Sequence, residues 1–381
     1  MKEDWKIREF EDCIEKVHYT NKIQRKDFLE SGKYPIISQE QDYINGYWNN
    51  PNDLFRIKKP IIIFGDHTQV LKYIDFDFVL GADGVKILQP TNELDPRYFY
   101  YYMQNLNLGS LGYARHYRLL KEVEIKYPES LTEQLRIVRL LDESCASISK
   151  AKANAEQNLK NARELFDSYL QGVFANKGEG WEEKKVKELG ITQTGTTPKT
   201  TEKENFGDFI PFIKPADIDV TGIGDLRYDN DGLSESGLKK GRTMASGSVL
   251  MVCIGATIGK VGYAECAVSC NQQINSLTLK SEYEPKFFYY AMSSIEFQKK
   301  VLLEGKGAQA TLPIINKSKW ENLTIRFPKT KSEQQLIVQK LDALSSETKR
   351  LESNYQQKLS DLEELKKSIL QKAFNGELKV S

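Results

Sequence analysis

Two long stretches of the chain carry apolar residues in alternating steps of three and four positions. In residues 332–374 these positions are filled mostly by leucine and isoleucine, whereas the middle of residues 132–174 uses small residues such as Ala151 and Ala155. Alternating steps of this kind form the seam of a coiled coil. The pattern predicts two long helices, Thr132–Phe174 and Ser332–Phe374, each roughly 65 Å long at about 1.5 Å per residue.

The side chains of the two predicted helices are complementary in size, because small residues in one occupy positions where the other has large ones. This favours antiparallel pairing of the two helices within one chain. Two alternatives remain open: each helix packs on its own domain, or the helices form a coil between molecules. Pro128 and Pro328 precede the helices, and Gly178 and Gly376 lie just past their ends, as start and stop signals do.

The chain contains an internal repeat. Gln134 and Gln334, Leu141 and Leu341, and further identical pairs recur at a constant spacing of 200 positions over more than 40 residues. Upstream the likeness continues at other spacings, for example between the segments that begin at Pro96 and Pro285. Each half is therefore a domain of variable length followed by a helix of fixed length. Duplicated halves are typical of a pseudo-two-fold arrangement, which suits a partner that is itself two-fold.

The segments before each helix carry short β-rich runs such as residues 60–64 and 274–279, punctuated by Gly, Asn and Asp. Helices are expected near residues 96–106 and 285–303. The predicted fold is α+β, with two pseudo-two-fold-related α/β domains separated by two long antiparallel coiled-coil helices. The expected boundaries are given by number: 1–131 and 178–331 for the domains, 132–177 and 332–381 for the helical segments.

Composition narrows the class of protein. The 381 residues are 40% hydrophobic and 28% charged, which allows a packed core. The N-terminus is charged throughout, no apolar run reaches membrane-spanning length, and the five cysteines are scattered, so we expect a cytoplasmic protein. The net charge is only +1. A nucleic-acid surface would therefore have to come from locally clustered Lys and Arg.

Motifs for catalysis are missing from the sequence. The segment Gly255–Lys260 has three residues between its glycines and Val261 after the lysine, so it does not match a phosphate-binding loop. We find neither a methyltransferase cofactor loop nor its Asn/Asp-Pro-Pro-aromatic stretch. Cys266 and Cys270 lack the second pair that a zinc site needs. We expect a recognition protein without catalytic, metal-binding or cofactor-binding residues, whose chemistry is done by another subunit.

The sequence resembles the specificity subunits of type I restriction-modification systems over essentially the whole chain. The second half carries the resemblance most clearly, in motifs that follow one another in the family's order. These motifs are Gly195-Thr-Thr-Pro-Lys-Thr200, Ile210-Pro-Phe-Ile213, Gly255-Ala-Thr-Ile-Gly-Lys260, Asn271-Gln-Gln273, Gly305-Lys-Gly-Ala-Gln-Ala-Thr311, Ile325-Arg-Phe-Pro328 and Glu333-Gln334. The first half departs from the pattern, which fits a domain that reads a different DNA sequence.

The resemblance implies two target recognition domains that bind the two halves of an interrupted, asymmetric DNA site, with the antiparallel helices as the ruler between them. It also implies that two modification subunits dock along the helices and methylate adenine, and that ATP-dependent restriction subunits can join them. S-adenosylmethionine, ATP and Mg are then expected on the partner subunits and no cofactor in this chain. The expected partners are double-stranded DNA and these subunits, with no membrane.

Candidate DNA-reading residues are polar side chains on predicted loops. In the first domain they are Ser38, Gln39, Gln41, His67, Thr68, Arg115, His116 and Arg118. In the second they are Thr197, Lys199, Lys214, Thr257, Lys260, Gln272, Lys306 and Gln309. For each of them an ordinary solvated loop residue is the alternative.

Two other functions remain open from the sequence. One is a specificity subunit paired with a fused nuclease-methylase that works without ATP, because this chain would look the same in either system. The other is a coiled-coil scaffold that binds protein and not DNA, which the near-neutral net charge allows.

Overall fold

The computed structural model describes residues 4–82, 84–109, 111–112, 114–175, 180–219, 225–305 and 313–378. The chain divides into two compact units. Unit 1 comprises residues 1–156 and 357–381, and unit 2 comprises residues 157–356. Both boundaries fall inside the long helices, so each unit holds one domain of mixed structure together with part of each long helix.

The strands and helices of the first domain alternate with short 3-10 turns. Its strands are β1 Trp5–Glu9, β2 Ile14–Glu15, β3 Lys22–Ile23, β4 Tyr34–Ile37, β5 Gly46–Trp48, β6 Leu54–Phe55, β7 Ile61–Gly65, β8 Leu71–Ile74, β9 Phe78–Gly81, β10 Val85–Pro90 and β11 Glu124–Pro128. Its helices are α1 Pro96–Asn105 and α2 Tyr117–Leu120, and the first long helix is α3 Leu131–Ala175.

The second domain has the same kinds of element in a similar order. Its strands are β12 Trp181–Lys185, β13 Gly190–Thr194, β14 Phe206–Ile213, β15 Gly232–Leu233, β16 Thr243–Met244, β17 Val249–Val252, β18 Val261–Tyr263, β19 Val268–Cys270, β20 Ile274–Leu279 and β21 Thr324–Pro328. Its helices are α4 Val186–Leu189, α5 Glu235–Lys240, α6 Pro285–Ser293, α7 Ile295–Gly305 and α8 Lys317–Glu321, and the second long helix is α9 Lys331–Phe374.

The two long helices match the prediction to within one residue at each end. In unit 1, buried Leu141 of α3 belongs to one core with Leu370 and Phe374 of α9, and Lys152 pairs with Glu363. Residue numbers therefore rise along one helix as they fall along the other, which confirms the antiparallel packing. In unit 2, Phe166 and Leu170 of α3 lie in one core with Val338 and Leu341 of α9, again antiparallel, because Arg163 bonds to Glu352 at 2.7 Å.

The duplication extends to the sheets. A four-stranded sheet has the order β2-β10-β7-β8 in the first domain and β13-β20-β17-β18 in the second. Each domain also pairs two strands in parallel, β4 with β9 and β14 with β19. The N-terminal strand of each half pairs with the strand before the long helix in one register, Trp5 opposite Pro128 and Trp181 opposite Pro328.

Each long helix begins with a buried glutamine that fixes three elements. The Gln134 amide donates to the Pro128 carbonyl at 2.8 Å and accepts from the Asp95 backbone N–H at 2.8 Å. Gln334 repeats both bonds with Pro328 and Glu284, at 2.8 and 2.9 Å. Both glutamines are fully buried, so their amides would be costly to leave unbonded. Gln134 and Gln334, an identical pair of the sequence repeat, therefore have a structural role: each holds the start of a long helix to the preceding strand and to the start of the aromatic helix.

The aromatic helices that follow Asp95 and Glu284 belong to the cores. Phe99 and Tyr102 are buried in unit 1, and Phe287 and Tyr290 are buried in unit 2. The helix expected near residues 285–303 is divided into α6 and α7 at Ser294, whose backbone is extended. The Ser294 hydroxyl donates to the Ala291 carbonyl at 2.7 Å and so closes α6.

Candidate nucleic-acid interface

Three separate segments of the first domain meet at one end of its sheets, around Asp66. The Asp66 carbonyl accepts the His116 backbone N–H at 2.7 Å, and its carboxylate accepts the Tyr117 N–H, also at 2.7 Å. The His67 N–H donates to the side chain of Gln39 at 3.2 Å, and the Thr68 hydroxyl donates to the Gln39 carbonyl at 2.6 Å. We call residues 38–45, 66–69 and 114–118 the loop end of unit 1. It gathers candidates that lie far apart in the sequence.

Ser38 and His116 of the loop end are each only 2% exposed. The Nδ1 of His116 lies 3.1 Å from the Asp66 carbonyl, and its Nε2 accepts the Leu111 N–H at 3.1 Å. Neither side chain can reach a base edge in this conformation. Both side chains are used inside the domain in this structure, and their assignment as DNA readers stays a prediction.

The remaining candidates of unit 1 differ in exposure. Gln39 and His67 are half-buried and bond to each other, so they fix the loops. Gln41, Thr68, Arg115 and Arg118 are exposed. The Thr68 hydroxyl is already engaged, since it donates to Gln39 and accepts the Val70 N–H at 3.3 Å. Gln41 and the two arginines are the exposed groups best able to contact a ligand.

Lys72 of β8 is a buried cation beneath the loop end of unit 1 that sequence reasoning missed. Its side chain is 3% exposed, and its ammonium donates to the Asp42 carbonyl at 2.5 Å and to the Asn45 side chain at 2.8 Å. The same Asn45 oxygen accepts the Ser38 N–H at 2.8 Å. Burial lowers the pKa of the Lys72 ammonium to about 8. The sequence held one signal for this burial. Lys72 lies two positions before Ile74 in the same strand, so both side chains are on the face of the sheet that is buried.

Four segments of the second domain also meet at one end of its sheets. The Thr196 N–H donates to the Cys270 carbonyl at 2.8 Å, and the Asn271 N–H donates to the Ile213 carbonyl at 3.1 Å. The Gln273 side chain donates to the Ile254 carbonyl at 3.2 Å. We call residues 195–199, 213–218, 254–260 and 271–273 the loop end of unit 2. It brings together the motifs that begin at Gly195, Gly255 and Asn271 and the end of the motif Ile210-Pro-Phe-Ile213.

Within this loop end, Thr197 and Gln272 are joined directly, with the threonine hydroxyl donating to the glutamine oxygen at 2.5 Å. Gln272 and Thr257 are exposed, and the side chain of Lys199 is 81% exposed. Gln272, Thr257 and Lys199 are thus accessible to a ligand. Lys306 and Gln309 lie outside the described residues.

Two lysines of this loop end are engaged within the domain. The Lys260 ammonium donates to the carbonyls of Pro215 at 3.3 Å and Ile218 at 2.9 Å. The Lys214 ammonium pairs with Asp231 at 2.7 Å and lies 5.9 Å from the centre of the Phe212 ring. Lys260 therefore ties the 254–260 turn to the 213–218 segment, and Lys214 is a partly exposed cation with an acid beside it.

The two loop ends share a backbone frame and differ in side chains. The Asp66 N–H donates to the Gly84 carbonyl at 2.6 Å and its carbonyl accepts from His116 at 2.7 Å. Cys253 makes the equivalent bonds with Gln273 and Ile315, at 2.8 and 2.9 Å. Asp66 and His116 of the first half thus occupy the positions of Cys253 and Ile315 in the second half. All four side chains are buried, so the same backbone frame holds a different interior in each half, while the exposed side chains around it also differ.

The part of the chain that the structure describes offers no group of three or more His, Cys, Asp or Glu side chains that could hold a metal ion. Burial raises the pKa of the Cys253 thiol to about 12, so this thiol stays protonated at neutral pH and is a poor nucleophile. Among the described residues, no helix is both long and apolar enough to cross a membrane.

Comparison with protein families gives one clear match. The model of the type I restriction modification DNA specificity domain matches residues 2–158 and again residues 178–361. The chain is 25% identical over 345 residues to the EcoR124I/EcoR124II specificity subunit of Escherichia coli, which covers 86% of this chain and 83% of that protein. It is 28% identical over 199 residues to the HindI specificity subunit of Haemophilus influenzae, covering 52% and 42% of the two chains.

Solved structures share the fold. A chain from work on complex assembly and conformational transition of the type I R-M system superposes with a TM-score of 0.74 at 16% identity, covering 99% of each chain. The HsdS subunit from Thermoanaerobacter tengcongensis superposes with a TM-score of 0.57 at 16% identity, covering 99% of this chain and 98% of that one. These likenesses agree with the duplicated arrangement of domain and long helix.

Proposed function

Because the chain belongs to the family of type I restriction modification DNA specificity domains, we propose that it is the subunit that selects the DNA site of a restriction-modification complex. One half of an interrupted, asymmetric site is read by the loop end of unit 1 and the other half by the loop end of unit 2. The family match does not favour the two alternatives, an ATP-independent nuclease-methylase partner and a protein-binding scaffold.

The observation that carries this proposal is the shared backbone frame with different side chains. Reading two unlike half-sites requires two surfaces that project from equivalent positions with different donors and acceptors. In the major groove each base pair presents a distinct pattern of such groups. Exposed amides and cations such as Gln41 and Arg115 in unit 1, and Gln272 and Lys199 in unit 2, supply these groups.

Contacts to the phosphates set the register of the protein on DNA. The net charge of +1 makes a generally basic surface impossible. Phosphate contacts therefore depend on single exposed cations next to the loop ends, such as Arg118 and Lys199. This also implies a modest affinity of the chain alone for DNA, with further contacts made by its partners.

The chain itself carries out no reaction in this proposal. Two modification subunits dock on the long helices and transfer a methyl group to adenine, and ATP-dependent restriction subunits join them. S-adenosylmethionine, ATP and Mg belong to those subunits. The target adenine leaves the base stack to reach the modification subunit, because a stacked base is inaccessible. Exposed Leu165 and Leu365, which occupy repeat-equivalent positions on α3 and α9, support a docking face on the helices.

The proposal is tested by DNA binding of the chain assembled with its modification subunit. Duplexes of random sequence are selected by the complex at moderate salt, and the bound fraction is sequenced. We expect an interrupted asymmetric motif and an affinity that falls steeply as salt rises. A complex that enriches no motif, or that enriches a continuous one, would contradict the proposal.

A further inference from the structure

A cavity of about 410 Å³ lies in unit 1 between the loop end and helix α9. Gln41, Thr68 and Gln69 of the loop end line it, together with Lys366 and Lys367 of α9. The cavity thus brings candidates for base reading and two lysines to one place.

The cavity has an excess of positive charge. Among its lining residues Glu363 is the acid, and its carboxylate accepts a hydrogen bond from Lys152. That bond, with a smaller contribution from the charges of Lys366 and Lys367, lowers the pKa of Glu363, which therefore stays ionised at neutral pH. In the described part of the chain, neither Lys366 nor Lys367 has an acid within ion-pair distance. The lining thus carries two lysines and one carboxylate, and that carboxylate is already paired with Lys152.

The internal repeat allows these two lysines to be compared with the equivalent residues of the first long helix. Lys366 and Lys367 occupy the positions of Phe166 and Asp167 in the first copy of the helix. Phe166 is 3% exposed and packs in the core of unit 2, while Asp167 is exposed. The equivalent helix α3 thus forms with an apolar and an acidic residue at these positions. Its fold does not require two lysines there.

We propose that Lys366 and Lys367 bind the DNA backbone, holding the phosphates of the strand whose bases are read by the loop end of unit 1. The inference rests on the proposed function and adds a phosphate contact made by the second long helix. Lysine acts as a compact point charge toward phosphate. The position favours DNA over an acidic surface of a partner subunit, because Gln41 and Thr68 line the same cavity and the exposed Leu365 does not.

The test uses the double variant Lys366→Gln/Lys367→Gln in the chain assembled with its modification subunit. The dissociation constant for a duplex that carries the selected site is measured over a range of salt concentrations. Each phosphate contact contributes about 0.9 to the slope of log affinity against log salt, so the slope should flatten by about 1.8. The base preference at both half-sites should stay unchanged, since phosphate contacts carry no direct sequence information.

Two matched variants separate the effect of these two lysines from the effect of charge removal in general. Lys340→Gln/Lys358→Gln removes the same charge from exposed positions of α9 that do not line the cavity, and it should leave the slope within error of the parent. Lys366→Arg/Lys367→Arg retains both charges, so the slope of this variant should equal that of the parent.

An unchanged slope in Lys366→Gln/Lys367→Gln would overturn the phosphate assignment. So would a loss of assembly with the modification subunit at unchanged folding, because the lysines would then serve the partner contact. A parent complex without any site preference would instead reject the proposed function itself.

Discussion

The hydroxyl of Tyr290 donates a hydrogen bond to the carboxylate of Asp342 at 2.5 Å, joining α6 to the long helix α9. The Lys286 ammonium bonds to the other oxygen of the same carboxylate at 2.9 Å. In unit 1, Tyr101 and Arg97 both donate to one oxygen of Asp142, at 2.5 and 2.9 Å. Each half therefore fastens its aromatic helix to its long helix with one carboxylate, one tyrosine and one cation.

Removing the tyrosine hydroxyl should destabilise unit 2. Burial, and then the hydrogen bond to Asp342, raise the pKa of Tyr290, so its hydroxyl stays protonated and donates to the charged oxygen. A bond to a charged group contributes about 1.5–3 kcal/mol, and Tyr290→Phe should lower the free energy of unfolding by that amount. Urea denaturation measures it. Tyr355→Phe, on the same helix in a half-buried position, is the control and should change little.

The buried lysine of the first domain predicts a dependence of stability on pH. Burial lowers the pKa of Lys72 to about 8 from 10.5, although Glu40 and Asp42 oppose the shift. Between these two values the folded state holds fewer protons than the unfolded state. The free energy of unfolding should therefore gain a contribution that rises from pH 8 to pH 10.5.

Denaturation of the parent and of Lys72→Met at several pH values measures this contribution as a difference. The parent should gain stability relative to the variant over that window. Parallel pH profiles of the two proteins would show that the Lys72 ammonium titrates normally.

Substitution at each loop end should change the reading of one half-site only. Gln41→Ala is expected to relax base preference in the half-site bound by unit 1, and Gln272→Ala in the half-site bound by unit 2. A lost base-edge contact costs about 1–3 kcal/mol of discrimination. Selection and sequencing of bound duplexes reads both half-sites together, so each variant serves as the control for the other. Relaxation at both half-sites, or at neither, would argue against the assignment.

The structure changes the expected effect of removing Lys260. As an exposed DNA contact it would affect binding alone, but its ammonium holds the carbonyls of Pro215 and Ile218. Lys260→Ala should therefore lower the stability of unit 2 by about 1–3 kcal/mol, because two partly buried carbonyls lose their donor. The exposed Lys199→Ala should stay within about 0.5 kcal/mol of the parent. Equal unfolding free energies for the two variants would refute the structural role of Lys260.

The long helices were predictable because their signal is local. A repeated apolar spacing and a proline before each start define Leu131–Ala175 and Lys331–Phe374 almost to the residue. The parallel pairing of β4 with β9 joins Ile36 to Val79 across a long segment, and no local pattern encodes such a contact. The break at Ser294 depends on one hydroxyl that closes α6, which the apolar spacing does not reveal.

The candidate site was predictable in location and not in detail. Motifs around Gly195, Gly255 and Asn271 proved to be neighbours, because the ends of adjacent strands meet at one edge. Which polar residues stay exposed depends on packing from other segments. His116 is covered through its bonds to Asp66, and Lys72 is buried under residues 38–45. Such burial follows from tertiary contacts, which cannot be predicted from the type of a single residue.

We propose that this chain selects an interrupted DNA site for methylation. The most direct measurement is a genome-wide map of N6-methyladenine in cells with the intact gene and in cells that lack it. We expect one interrupted, asymmetric motif to lose its methylation when the gene is absent and to regain it when the gene is restored. If every methylated motif persists without the gene in cells that produce the assembled complex, the chain does not select a methylation site.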